Sequence, residues 1–192
     1  MPSVRGTKTE TNLMLAFAGE SQARNRYTYY ASKAKKEGFE QIAAAFLETA
    51  QQESEHAKRF FMFLESGADV EITASFPATG VGTTAANLAA AASGEEHEHK
   101  EMYPAFAKVA RQEGFEAIAK TFEAIAIAER RHEKRYRALL KLLESGTTFK
   151  REASTSWSCR NCGYVHEGHE APAHCPACAH PQAHFEAMTT IL

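Results

Sequence analysis

The chain has 192 residues, 44% hydrophobic and 24% charged, with a formal net charge of −2 when histidines are neutral. The length suits one ordinary domain, with or without a small appendage, and the composition is that of a globular protein in water. A near-neutral balance gives no electrostatic case for nucleic acid or an anionic membrane, and the most apolar run, Ala85–Ser93, is too short to cross a bilayer. Neither partner is expected.

The first twenty residues lack a basic region followed by an apolar core and a cleavage site, so no signal peptide is read. A cytoplasmic location is expected, with the four cysteines reduced unless they hold a metal.

From about Lys8 to Ser145 the chain is rich in Ala, Glu, Gln, Lys, Arg, Leu and Phe, which mostly favour helix. Four helices are predicted. The first runs from Lys8 to Lys36 and stops at Glu37-Gly38; the second runs from Phe39 to about Glu65 and stops at Ser66-Gly67. A looser stretch with Pro77, Gly80 and Gly82 follows. The third helix is expected from Thr84 to Gln112, bent or weakened at Pro104, and the fourth from Phe115 to Glu144, ending at Ser145-Gly146.

The two helix pairs are repeats. "KKEGFEQIAAAF" (Lys35–Phe46) matches "RQEGFEAIAKTF" (Arg111–Phe122) at an offset of 76, which also relates Tyr27 to Tyr103, Glu53 to Glu129 and His56 to His132. Short turns at Gly38 and Gly114 make each pair antiparallel, and the long connection between pairs allows a crossover. The fold class is thus an all-α four-helix bundle over residues 1–146.

Glu53-x-x-His56 and Glu129-x-x-His132 each place a carboxylate and an imidazole on one helix face. One such pair is usually a solvated surface. Two copies at matching places in a repeat point to a metal site. Glu20 strengthens this, because it lies on an apolar stripe with Leu13, Ala16, Ala23 and Tyr27, where an unpaired carboxylate is costly. Tyr27, two turns on, can bond the carboxylates or can be a core aromatic, as can Tyr103. The third helix offers Glu95, Glu96 and Glu98, with His97 and His99 read as surface residues. Repeat arithmetic selects Glu96. Choosing Glu95 instead, with Glu98 three residues on, leaves an angular error of about 80° relative to Tyr103 at about 100° per residue. One extra residue in a π-bulge would absorb it, so that choice predicts an irregular helix between residues 95 and 103. Two bundle helices giving Glu and two giving Glu-x-x-His match the ferritin-like di-iron template, and carboxylate-rich ligation with imidazole suits iron or manganese.

After Gly146 the character changes. Residues 147–153 read as a polar linker. Residues 154–192 pack Cys, His, Gly, Pro and aromatics into a piece too small to fold on its own core. Cys159-x-x-Cys162, twelve residues, then Cys175-x-x-Cys178 is a strong signal for a tetrahedral four-sulfur site holding zinc or one iron. The neighbouring bundle favours iron, since an oxidising di-iron site needs an electron supply that zinc cannot give.

Over nearly its whole length the sequence resembles the rubrerythrin family. "GESQARNRY", "ESEHAKRFF", "EMYPAFAKVARQEGFEAIA", "AERRHEKRY" and "CRNCGYVHEG…APAHCPACAHPQAHF" carry the likeness, the last to a rubredoxin-like β/loop tail. The resemblance implies a non-haem di-iron peroxidase that reduces hydrogen peroxide to water. It implies di-iron ligands at Glu20, Glu53, Glu95, Glu98, Glu129 and His132, with His56 exchanging with Glu98 at one iron as the redox state changes. Tyr27 would stand beside the site, and Cys159, Cys162, Cys175 and Cys178 would bind the rubredoxin-type iron, with zinc as a substitute. It further implies a homodimer, with or without helices exchanged between subunits, and a donor such as a reduced rubredoxin or a flavoprotein reductase. The competing readings are a ferritin-like ferroxidase and a metal or redox sensor with a structural zinc tail.

Overall fold

The computed structural model describes residues 3–65, 67 and 69–188. Helix α1 spans Lys8–Lys36, α2 Glu40–Phe61, α3 Thr84–His97, α4 Tyr103–Gln112 and α5 Glu116–Glu144; a π-helical segment, Glu98–Met102, joins α3 to α4. The α3–π–α4 rod is the third helix of a ferritin-like four-helix bundle. Gly38 (φ 84°) and Gly114 (φ 87°) take the left-handed conformation that ends one helix and turns the chain into its antiparallel neighbour. Pro104 falls in the first turn of α4, directly after the π segment, where its missing N–H does least harm.

The π segment explains the repeat. Before it, equivalent residues differ by 75, as in Thr9 and Thr84, Leu13 and Leu88, and Glu20 and Glu95; after it they differ by 76. The irregularity required by choosing Glu95 over Glu96 is therefore present, and Glu96 is turned outward to Lys100 and Arg137. Each pair also caps the other. Glu37, at the end of α1, accepts from Thr84 N at 2.8 Å, and Glu113, at the end of α4, accepts from Thr9 N at 2.8 Å and Lys8 N at 3.1 Å. These carboxylates satisfy orphan amides at the positive ends of α3 and α1.

The bundle core divides into two repeat-related clusters. Tyr27, Ile42, Phe46 and Leu88 centre one; Tyr103, Ile118, Phe122 and Leu13 centre the other. The metal-ligand candidates lie at their junction, because Tyr27 and Tyr103 each bond one of them.

Helix α2 ends earlier than its sequence suggests. Phe63 N bonds Phe60 O and Leu64 N bonds Phe61 O, tightening the final turn, and Glu65 is instead engaged by Ser3 Oγ at 2.7 Å and Val4 N at 3.0 Å. Ser66, part of the expected stop, lies outside the described residues.

The tail is a three-stranded antiparallel sheet of β1 (Lys150–Cys159), β2 (Val165–Glu170) and β3 (Phe185–Ala187), in the order β2-β1-β3. Lys150–Ala153, in the stretch read as a linker, belong to β1. Trp157, Cys159, Ala171, Cys175, Phe185 and Ala187 form its small core. Phe149 stacks on Phe39 at the start of α2, with ring centroids 6.2 Å apart, which seats the tail against its own bundle. Among the described residues no helix is long and apolar enough to cross a membrane.

Candidate metal centres

Glu20 enters the bundle centre from α1, Glu53 and His56 from α2, Glu95 from α3, and Glu129 and His132 from α5. The four glutamates are at most 1% exposed and His132 is 4% exposed. They make two groups: Glu20, Glu53, His56 and Glu129, and Glu53, Glu95, Glu129 and His132. In each group one ligand atom per residue lies within 4.8 Å of all the others. Glu53 and Glu129 belong to both, so the groups are halves of one site.

The contacts are close yet poorly aligned for hydrogen bonding. His132 Nδ1 lies 2.7 Å from Glu129 Oε2 and 3.2 Å from Glu53 Oε1, yet this nitrogen and both oxygens have no hydrogen-bond partner. Buried oxygens of Glu20, Glu95 and Glu129 are likewise orphaned. His56 Nδ1 is 2.9 Å from both Glu53 Oε2 and Glu129 Oε1. Among the described residues, the charged partners of these glutamates are His56 and His132 alone. Two imidazoles cannot neutralise four carboxylates, and such unsatisfied buried groups are expensive. Cations between the carboxylates resolve both problems, so the residues fit a two-metal centre.

Electrostatics records the crowding. Burial, then Glu129 and Glu53, push the Glu20 carboxyl well up; burial and Glu53 do the same to Glu95. Burial also opposes charge on Glu53 and the histidines, but the close approach of opposite charges wins. His132 and His56 hold Glu53 down at about 2, Glu129 and Glu53 lift His56 to about 10, and Glu129, Glu53 and Glu95 lift His132 to about 12.

The tyrosines cross between the halves. Tyr27 O–H donates to Glu95 Oε1 at 2.5 Å, and Tyr103 O–H donates to Glu20 Oε1. Both are therefore more than core aromatics.

Glu98, at the start of the π segment, belongs to neither group. It is half-buried, and burial, Glu95 and Glu129 hold its carboxyl up. It lines a cavity of about 620 Å³ bounded by Gly19, Tyr27 and Gly94 and by Phe76 and Pro77 of the connection between helix pairs. His97 pairs with Glu101 on the surface, whereas His99 is largely covered and bonds Glu133 at 2.6 Å.

In the tail, Cys159 and Cys175 are buried, Cys178 is half-buried and Cys162 is exposed; all four are free thiols. Cys159 Sγ lies 3.8 Å from Cys178 Sγ, and Cys162 Sγ 3.6 Å from Cys175 Sγ. Sulfurs about 2.3 Å from a tetrahedral centre are about 3.8 Å apart, so the cluster fits one four-coordinate metal. The knuckles are built alike: Gly163 N bonds Cys159 O and Ala179 N bonds Cys175 O, both at 2.8 Å, with Gly163 at φ 78° and Ala179 at φ 60°. The His180 N–H pulls the Cys178 thiol down to about 6, favouring the thiolate that binds metal.

The rubrerythrin family model matches residues 11–140, and the model of the rubrerythrin rubredoxin-like domain matches residues 157–186. Rubrerythrin of Nitratidesulfovibrio vulgaris is 58% identical over 188 residues, covering 98% of each chain. The chain belongs to the rubrerythrin family. Rubrerythrin of Porphyromonas gingivalis is 61% identical over 98% of this chain and 94% of its own. Among solved structures, fully reduced, all-ferrous nigerythrin superposes with a TM-score of 0.64 at 32% identity, over 96% of this chain and 91% of its own. Bacterioferritin of Mycobacterium tuberculosis shares the fold at 18% identity, with a TM-score of 0.61 over 72% of this chain and 87% of its own. In this rubrerythrin-family chain the carboxylate–histidine cluster is a di-iron site and the four-cysteine cluster an Fe(Cys)4 site.

The polar partner of His132 escapes sequence reasoning. Gln52 Oε1 lies 2.8 Å from His132 Nε2, although the two residues are 80 positions apart. The one signal available is its place one residue before Glu53.

Proposed function

We propose that the protein is a peroxidase that reduces hydrogen peroxide to water. The observation that carries this reading is the pair of four-ligand groups sharing Glu53 and Glu129 in the same chain as a four-cysteine cluster. Iron held by the two clusters would supply the redox chemistry, in which two electrons and two protons convert one peroxide to two waters.

The chain's own residues divide the remaining work. Glu53 and Glu129 would serve both metals, with Glu20 and His56 holding one and Glu95 and His132 the other. Glu98 lines the neighbouring cavity; His56 inside its group and Glu98 outside match one of the two arrangements between which the family resemblance has them exchange. Tyr27 and Tyr103 hold Glu95 and Glu20 by hydrogen bonds, and protons pass through these carboxylates and the Tyr27 hydroxyl. The cavity at Glu98 is the route for a small uncharged substrate. Cys159, Cys162, Cys175 and Cys178 would hold the tail iron, with a rubredoxin or flavoprotein in the cytoplasm as the electron donor. The assembly is a homodimer, as the resemblance implies.

The test is to reduce the iron-loaded protein anaerobically, add one equivalent of hydrogen peroxide per chain, and follow both iron chromophores. Rapid oxidation of the bundle irons, then slower oxidation of the tail iron, with no dioxygen released, is expected. Bundle irons that ignore peroxide but oxidise rapidly in dioxygen would replace this reading with an oxidase or iron-handling one.

A further inference from the structure

The two histidines of the bundle site are held differently. His132 Nε2 faces Gln52 Oε1 at 2.8 Å. The Gln52 amide nitrogen donates to Glu48 at 3.4 Å, and Glu48 is paired with Arg135 at 2.9 Å. Arg135 is fixed in turn by Thr49 Oγ1 and Ala45 O. Since the amide N–H faces Glu48, the amide oxygen must face the ring. Nε2 is then a donor to Gln52, so when a metal replaces the proton on Nδ1, that nitrogen is the one left free to ligate beside Glu53, Glu95 and Glu129.

The other half has no such chain. The repeat places Ala128 opposite Gln52 and Ala124 opposite Glu48. Arg59, the counterpart of Arg135, lies over the Phe63 ring at 4.2 Å instead. Among the described residues the His56 ring makes its polar contacts through Nδ1 alone. A ligand imidazole whose outer nitrogen is anchored holds its metal better than one that is free, by about 10–100-fold where partners have been removed.

We infer that Gln52 is a positioning residue for His132, and that its lack of a counterpart makes the two iron positions unequal, with the Glu53–Glu95–Glu129–His132 position retaining its iron longer. This rests on the reading of the bundle as a di-iron site.

The test is to challenge the reduced, full-length, iron-loaded protein with a ferrous chelator under anaerobic conditions. Iron release is followed in time, and tail iron is counted separately from its visible absorption after reoxidation. Two bundle irons should leave in two phases. Gln52→Leu and Gln52→Ala should accelerate the slower phase by about 10–100-fold and leave the faster one unchanged. Gln52→Glu, which retains an acceptor for Nε2–H, should restore the slow phase. Unchanged helicity and tail absorption show that each variant is folded. Two bundle irons leaving in one phase, or a slow phase indifferent to Gln52→Leu and Gln52→Ala, would overturn the inference alone. A wild-type bundle holding fewer than two irons overturns the di-iron reading and the inference with it.

Discussion

The bundle and the tail both place a metal cluster between two copies of a short motif, but they relate to their metals in opposite ways. The bundle has two aromatic clusters, with Phe46, Phe60, Phe122 and Tyr136 fully buried, and spends part of that stability on carboxylates that nothing else satisfies. Its core makes the site. The tail has Trp157 and Phe185, three short strands and four thiols. There the metal makes the core, because so small a piece buries too little apolar surface by itself.

The largest expected consequence is selective collapse. Cys175→Ser should strip the tail of iron and unfold it while the bundle keeps its helicity. Trp157 is the only tryptophan and is fully buried, so its emission reports on the tail alone and should shift to the red. Concerted loss of helicity would show that the two regions are not energetically separate.

The converse change is Phe122→Ala. It should cost the bundle about 3–5 kcal/mol in chemical denaturation by opening a cavity in a fully buried position, with the tail's visible absorption and Trp157 emission unmoved below the transition.

A smaller effect concerns the cross-pair caps. Thr84 and Lys33 hold the Glu37 carboxyl down at about 2. A depressed carboxyl stabilises the folded state above its unfolded value of about 4.5, and that contribution is lost as pH falls from there through about 2. Exchange of the Thr84 amide should therefore accelerate, beyond its intrinsic pH dependence, over that interval. Glu37→Gln should abolish the pH dependence at a cost of about 1 kcal/mol. An identical profile in the variant would assign the acid sensitivity elsewhere.

The smallest effect lies in the tail. Ala179 occupies the left-handed region that Gly163 occupies in the other knuckle. A non-glycine residue there pays about 1–2 kcal/mol, part of which glycine returns as chain entropy in the unfolded state. Ala179→Gly should stabilise the tail by about 0.5–1 kcal/mol, read as slower iron loss to chelator, without touching the bundle.

The same contrast explains what could be read without coordinates. The bundle advertised itself: Gly38 and Gly114 mark turns, Glu-x-x-His recurs, and a one-residue slip between Glu20/Glu95 and Tyr27/Tyr103 exposes the π segment. Local signals suffice there because helices are local. The end of α2 was misleading, because "LESG" recurs at the end of α5, where Glu144 is still helical, whereas in the first copy the glutamate is drawn away by Ser3 and Val4. The start of β1 was hidden in polar residues, whose strand character depends on pairing with β2; Lys150 opposes Glu170 across a register shift. Gln52 and His99 were missed for the same reason, since their partners, His132 and Glu133, lie far along the chain.

The central claim is that the bundle holds one two-metal centre whose halves share Glu53. Iron content of the Glu53→Ala variant tests it most directly. Wild-type protein should hold about three irons per chain, two in the bundle and one in the tail. The variant should retain about one, with the tail's absorption intact, because removing a shared ligand empties both bundle positions together. A variant that keeps about two irons per chain, one of them still in the bundle, would contradict the claim.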